Sequence, residues 1–178
     1  MTTAEDITEG SLLLAEYDRI KEEQKARIGF RDNLLYVTLT ASTAVLAIAV
    51  QSKHHQLLLV LPVICLVLGW TYLVNDEKIS AMGRYTRDCL GPRLTELSGA
   101  QFPVFGWEDY HRRDPDRVTR KRLQTFVDLF TYLAFPMAGV IVFWSSLPAR
   151  PQLLGVSIVE TIGLAVLARQ FLRYTERC

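Results

Sequence analysis

Residues 33–75 read NLLYVTLTASTAVLAIAVQSKHHQLLLVLPVICLVLGWTYLVN. Two uncharged runs, 33–52 and 54–75, flank a single lysine, Lys53. Each holds about 20 residues, and about 20 residues at 1.5 Å of helical rise span roughly 30 Å of hydrocarbon. A polar bridge of six residues, Gln51 to Gln56, is short enough to force the two helices to run antiparallel. The stretch therefore predicts a transmembrane hairpin.

A second pair lies downstream. Residues 129–149 carry Phe130, Tyr132, Leu133, Phe135 and the cluster Val140–Trp144, and residues 153–168 form a shorter run interrupted by Glu160. Ser145 to Gln152 joins them. The expected fold is all-α: four transmembrane helices as two antiparallel hairpins, over 33–52, 56–75, 123–147 and 152–169. Pro62 and Pro136 fall inside two of the runs, where a kink and a freed carbonyl are expected.

Lysine and arginine sort by segment. Eighteen lie before the first run, between the hairpins or after the last run, and only Lys53 and Arg150 lie in the two short bridges. The positive-inside rule assigns the eighteen to the cytoplasm, so both termini are expected inside a multi-pass cell-membrane protein. A water-soluble bundle has no reason to sort its cations this way. Trp70 and Tyr72 at one end of the second run, and Trp144 near the end of the third, read as interfacial anchors. The polar, acidic start Met1–Gly10 is the opposite of a signal peptide.

The segments outside the runs are expected to fold. Over 11–32, Leu13, Tyr17, Ile20 and Ile28 recur at helical period with Gln24 in the gap, and Glu23 precedes Arg27 by four. Gly29 marks a bend before the first crossing. After the second run, Ile79, Met82, Thr86 and Cys89 share one face of a helix ended by Gly91-Pro92. Residues 98–111 are too irregular for a helix, and Asp114-Pro115 caps the next one. The segment 76–122 is thus a cytoplasmic helix followed by an aromatic and basic loop.

With 178 residues and a net charge of +1, the chain is a single domain with no global field for nucleic acid. Its three cysteines, Cys65, Cys89 and Cys178, have neither zinc spacing nor a disulfide framework. Cys65 reads as a small buried thiol. His54-His55 lacks the i, i+4 spacing of a metal pair, and no cofactor pattern occurs. Catalytic signatures are missing: no GxSxG elbow, HExxH helix or phosphate-loop lysine. His111-Arg112-Arg113-Asp114 only superficially matches a kinase loop, with no glycine-rich partner.

Two features carry candidate chemistry. Glu160 is an intramembrane charge, which costs a few kcal/mol and usually faces a bundle interior, a partner or a water-filled path. Counted from Leu153, it sits seven residues into its run, near enough to the outer end to snorkel. Asp128 reads as solvated at the interface. The basic cluster Arg112, Arg113, Arg117, Arg120, Lys121 and Arg122 fits anionic lipid headgroups, each charge contributing about 1 kcal/mol. With Trp107 and Tyr110 as stacking surfaces, it alternatively fits a phosphorylated, nucleotide-type ligand.

AEYDRIKEEQKARIGFRDN (15–33) and GWTYLVNDEKISAMGRYTRDCLGPRL (69–94) resemble a group of small actinobacterial integral membrane proteins. That likeness covers most of the chain and implies a membrane fold but no activity. More weakly, a cytoplasmic helix leading into a tight hairpin resembles SLATT-type membrane effectors, which implies assembly and membrane breaching on a nucleotide-based signal. The second hairpin departs from that pattern. The leading expectation is a non-enzymatic protein, homo-oligomeric or docking a cytoplasmic partner through its helices, with a pore or effector as the sharpest form. The small and hydroxyl residues Thr38, Thr40, Ala41, Ser42, Thr43 and Ala44 allow close helix approach. The alternative is a small transporter or ion conductor using Glu160. Less favoured is a membrane-surface enzyme using Arg112, Arg113, Trp107 and Asp76.

Overall fold

A computed structural model describes residues 8–107, 110, 113–146 and 151–177. Among them every regular element is helical: α1 (Glu9–Ser52), a 3₁₀ turn (His55–Leu59), α2 (Val60–Tyr85), a π-turn (Thr86–Leu90), α3 (Gly91–Ser98), α4 (Arg117–Leu129), a second π-turn (Phe130–Ala134), α5 (Phe135–Ser145) and α6 (Pro151–Arg177). Four helical stretches are long and apolar enough to cross a membrane: Glu9–Ser52, His55–Ser98, Val118–Ser145 and Pro151–Tyr174. The chain divides into a polar unit, Met1–Phe30 with Asn75–Arg117, and an apolar unit, Arg31–Val74 with Val118–Cys178.

Helix α1 runs without a break through Gly29, so the expected bend is absent. It stops at Lys53, whose left-handed φ of 57° turns the chain out of the helix. Its buried stripe in the apolar unit is Leu34, Thr38, Ser42 and Ala49, about one residue per turn. Thr38 and Thr43 each donate their hydroxyl to the carbonyl four residues back, at 2.7 and 2.8 Å. Polar side chains are thereby satisfied without water. The small-residue stretch splits: Thr38 and Ser42 pack inside, whereas Thr40, Thr43 and Ala44 are exposed.

Both internal prolines are accommodated without a broken helix. Pro62 is the third residue of α2, just after the 3₁₀ turn His55–Leu59 leads into it. Pro136 follows the π-turn Phe130–Ala134. A proline there cannot donate to Tyr132, and the wider i→i+5 winding is the local adjustment that absorbs the loss. The same arrangement recurs at Thr86–Leu90 ahead of Pro92. Gly91-Pro92 therefore does not end the helix as expected; the winding widens, and the chain continues helically to Ser98, where Gly99 at φ 63° stops it. The buried face accordingly passes from Thr86 to Leu90, and Cys89 is exposed.

The core of the apolar unit is an aromatic triad. Tyr72, Tyr132 and Phe171 have ring centroids 5.2–6.2 Å apart, with Leu34, Leu73 and Leu167 around them. Tyr72 is 3% exposed, so it is a core residue rather than an interfacial anchor. Trp70 is half exposed. Gly69 admits the triad: a Cβ there would lie 2.9 Å from Leu167 Cδ2 and 3.0 Å from Tyr132 Cδ1. Gly139 does the same at Leu58, whose carbonyl oxygen would be 3.0 Å from a Cβ. Around this core, Tyr36, Ile48, Val67, Ile141, Val159 and Ile162 present apolar side chains outward.

In the polar unit Leu13, Leu90 and Leu94 pack together, and Tyr17 stacks on Phe105 with centroids 3.7 Å apart. Gln24 fills the gap in the apolar stripe by donating to the Ile79 carbonyl, 3.3 Å. Arg27 pairs with Glu23 at 2.6 Å and donates to Asn75 at 3.1 Å. Glu16 accepts the Tyr85 hydroxyl at 2.8 Å, a bond to the protonated phenol that raises the Tyr85 pKa. Asp114 accepts the Asp116 N–H in a turn, and α4 begins just after it at Arg117, close to the expected cap.

Candidate functional site

Helix α6 begins at Pro151, so Glu160 lies nine residues in, about 13.5 Å along the axis. That is deeper than one turn, and the side chain does not snorkel. Glu160 is 5% exposed, and both carboxylate oxygens are buried with no hydrogen-bond partner among the described residues. The hydroxyls of Ser157 and Thr161 on the same helix are bonded elsewhere. Ser157 donates to Leu154 O (2.9 Å) and accepts from Trp144 Nε1 (3.1 Å), and Thr161 donates to Ser157 O (2.7 Å). An orphaned buried carboxylate is expensive in either protonation state, since even the neutral acid leaves an O–H and a carbonyl unpaired.

Glu160 lines an open groove of about 680 Å³ between α2 and α6. Val63, Leu66 and Val67 form one wall, and Gln152, Gly155, Val156, Val159 and Gly163 the other. Two glycines shape it differently. A Cβ on Gly163 would meet Leu66 Cδ1 at 2.9 Å, so the helices are in contact there. A Cβ on Gly155 would meet nothing within 4 Å, so the groove is open at that level.

The same unit holds other polar groups, among them the buried Asp128, Tyr132 and Cys65. Gln124 donates to Tyr72 Oη and Asp128 Oδ1, both at 2.9 Å. Asp128 is 7% exposed, which corrects its reading as an interfacial, solvated group: the Gln124 amide does the work expected of water. The fully buried Tyr132 hydroxyl has no hydrogen-bond partner among the described residues. Cys65, also fully buried, is 3.9 Å from Ser42 Oγ.

The basic and aromatic cluster is distributed over both units. Trp107 and Tyr110 stack with centroids 6.1 Å apart, and both are exposed, as is Arg113, in the polar unit. Arg120, Lys121 and Arg122 belong to the apolar unit, where Lys121 lies 5.0 Å from the Tyr174 ring centroid. Arg112 and the Arg117 side chain lie outside the described residues. No group of three metal-ligating side chains occurs among the described residues. His54 and His55 are exposed, and neither Asp76 nor Glu77 lines either hollow described here.

Sequence reading missed a hollow of about 490 Å³ in the polar unit, lined by Arg87, Thr95, Glu96 and Phe105 among others. Thr95 braces it, donating to Gly91 O at 2.8 Å and accepting the Val104 N–H at 2.9 Å. Phe105 has a left-handed φ of 61°, a strained state for a bulky residue. Nothing in its local sequence signals that strain. Comparison of the chain with family models, with characterised proteins and with solved structures finds no match.

Proposed function

We propose that this protein is a small carrier or ion-conducting protein of the cell membrane. In this reading two antiparallel hairpins cross the bilayer with both termini in the cytoplasm, and Glu160 is the intramembrane binding group for a proton or cation. The observation that carries it is the pair of buried, unpartnered Glu160 oxygens. With α6 entering the membrane near Pro151, a rise of about 13.5 Å sets Glu160 close to the midplane of a 30 Å core. Intramembrane carboxylates at that depth mark ion pathways and proton relays.

The test is reconstitution in liposomes holding a pH-sensitive dye, with a proton gradient imposed across the bilayer. Wild-type protein is expected to collapse the gradient and Glu160→Gln to slow that collapse at least about tenfold, because the amide cannot exchange a proton. Equal rates for the two proteins remove the basis of the proposal.

Assembly is a second reading that particular residues favour. Thr40, Thr43, Ala44 and Ala47 give α1 an exposed face of small side chains suited to close contact with a second copy. Phe102, Trp107 and Tyr110, each at least two-thirds exposed in the polar unit, offer a docking patch for a cytoplasmic protein or nucleotide-type ligand. Val118, Leu123 and Phe126 lie exposed near Arg120, Lys121 and Arg122 on α4, a composition suited to anionic headgroups. An oligomer is expected in detergent by light scattering; a strict monomer at every concentration ends the assembly reading.

A further inference from the structure

We infer that the groove over Glu160 takes lipophilic organic cations, admitted sideways from the bilayer. This rests on Glu160 being the working carboxylate and names the class of its cargo. A volume of about 680 Å³ is that of a site for a drug-sized molecule, several times what a bare ion occupies.

The walls decide the chemistry of the body. Among the lining residues only Gln152 and Glu160 are polar. A sugar, an amino acid or a phosphate ester needs several directed hydrogen bonds when it leaves water, and valine and leucine side chains supply none. A hard inorganic cation is excluded on the same count, because it needs about six oxygen ligands. Gln152 and Glu160 are eight residues apart on α6, about 12 Å, so they cannot share one small ion.

Charge decides the sign. A lone carboxylate among aliphatic side chains repels anions, and its interactions are weakly screened in a medium of low dielectric constant. A delocalised or alkylated cation sheds its hydration shell more readily than a small ion does, and it would give the Glu160 oxygens the counter-charge that the protein withholds. The rims decide the route. Val63, Val67 and Val159 are 50%, 62% and 69% exposed on the outward faces of their helices. Once the unit is embedded, that opening faces acyl chains, where an apolar cation accumulates and a hydrophilic solute does not.

The experiment measures tetraphenylphosphonium binding to the purified full-length chain in detergent, with tetraphenylborate as the anion of matching shape. Saturable binding of the cation alone is expected, weaker at acid than at alkaline pH because protons compete for the same carboxylate. Glu160→Gln is expected to weaken it at least about tenfold, equivalent to 1.4 kcal/mol. Gly155→Leu, which builds into open space, is expected to abolish it by filling the groove, and Val67→Trp on the opposite wall is expected to do the same. Binding that does not saturate, that survives all three substitutions, or that the borate shares would overturn the inference. Absent binding alongside a Glu160-dependent proton flux overturns the cargo and leaves the carrier standing. Glu160-dependent binding without flux supports the site and defeats the carrier.

Discussion

Glu160→Leu is expected to raise the thermal stability of the detergent-solubilised protein while ending Glu160-dependent transport. The two effects have one cause. In the folded protein the carboxylate is buried and meets no donor among the described residues, so its desolvation is not offset by any bond. A leucine of similar bulk deletes that penalty, which insertion scales set at about 2.5–3.5 kcal/mol for a comparable acid at a helix centre. Replacing a buried charge by a well-packed apolar side chain is commonly neutral or stabilising. A residue kept at such a cost to the fold is retained for what it does, so a more stable and inactive variant is the outcome that the carrier reading requires. Melting curves followed by tryptophan fluorescence give the first half of the result, and the liposome assay gives the second. A lower melting temperature for Glu160→Leu would mean that the carboxylate has a partner in solution, such as a second copy of the chain, and would favour assembly over transport.

Tyr132→Ala is expected to be the most damaging single truncation in the apolar unit. Its ring is fully buried, sits 5.2 Å from Tyr72 and 5.8 Å from Phe171, and lies against Gly69. Removing a buried aromatic costs about 3–5 kcal/mol, part of it lost transfer free energy and part the cavity left behind. The cavity cannot close easily here. The approach of α2 is already limited at Gly69 by Leu167, and the π-turn Phe130–Ala134 holds the backbone around Tyr132 in a wide winding. Tyr132→Phe keeps the ring and removes only the hydroxyl, so its melting temperature is expected to stay close to wild type. That pair of variants separates the ring's packing from the hydroxyl's polarity. If the phenylalanine variant melts as low as the alanine variant, the hydroxyl rather than the ring holds the core together.

Much of the architecture was legible residue by residue. The four apolar stretches, the stripe Leu13, Tyr17, Ile20 and Gln24 and the Glu23–Arg27 pair all follow from spacing along one helix, which a chain displays before it folds. Ile28, expected to continue the stripe, is exposed, and Arg27 takes the inner position. Gly91-Pro92 was expected to stop a helix, yet a π-turn carries the chain past it, and nothing local distinguishes a proline that terminates from one that is wound around. Tyr72 and Asp128 have the composition of interfacial residues, yet both are buried and both accept from the amide of Gln124. The groove was legible only in part. Glu160 drew notice as an isolated charge, whereas Leu66, Gly155 and Gly163 owe their roles to how α2 and α6 approach each other.

Sequence by itself determined that this chain is helical, that four of its stretches suit hydrocarbon, and that its lysines and arginines avoid the two short bridges. Transfer free energy and helical periodicity are sums over residue types, so they can be read along a line. Only the tertiary structure decided which polar groups are answered and which are left alone. Tyr72 and Ser157 each receive a donor from another part of the chain, and Glu160 receives none among the described residues. Whether a buried group is satisfied depends on atoms far away in sequence brought within about 3 Å, and no one-dimensional pattern encodes that distance.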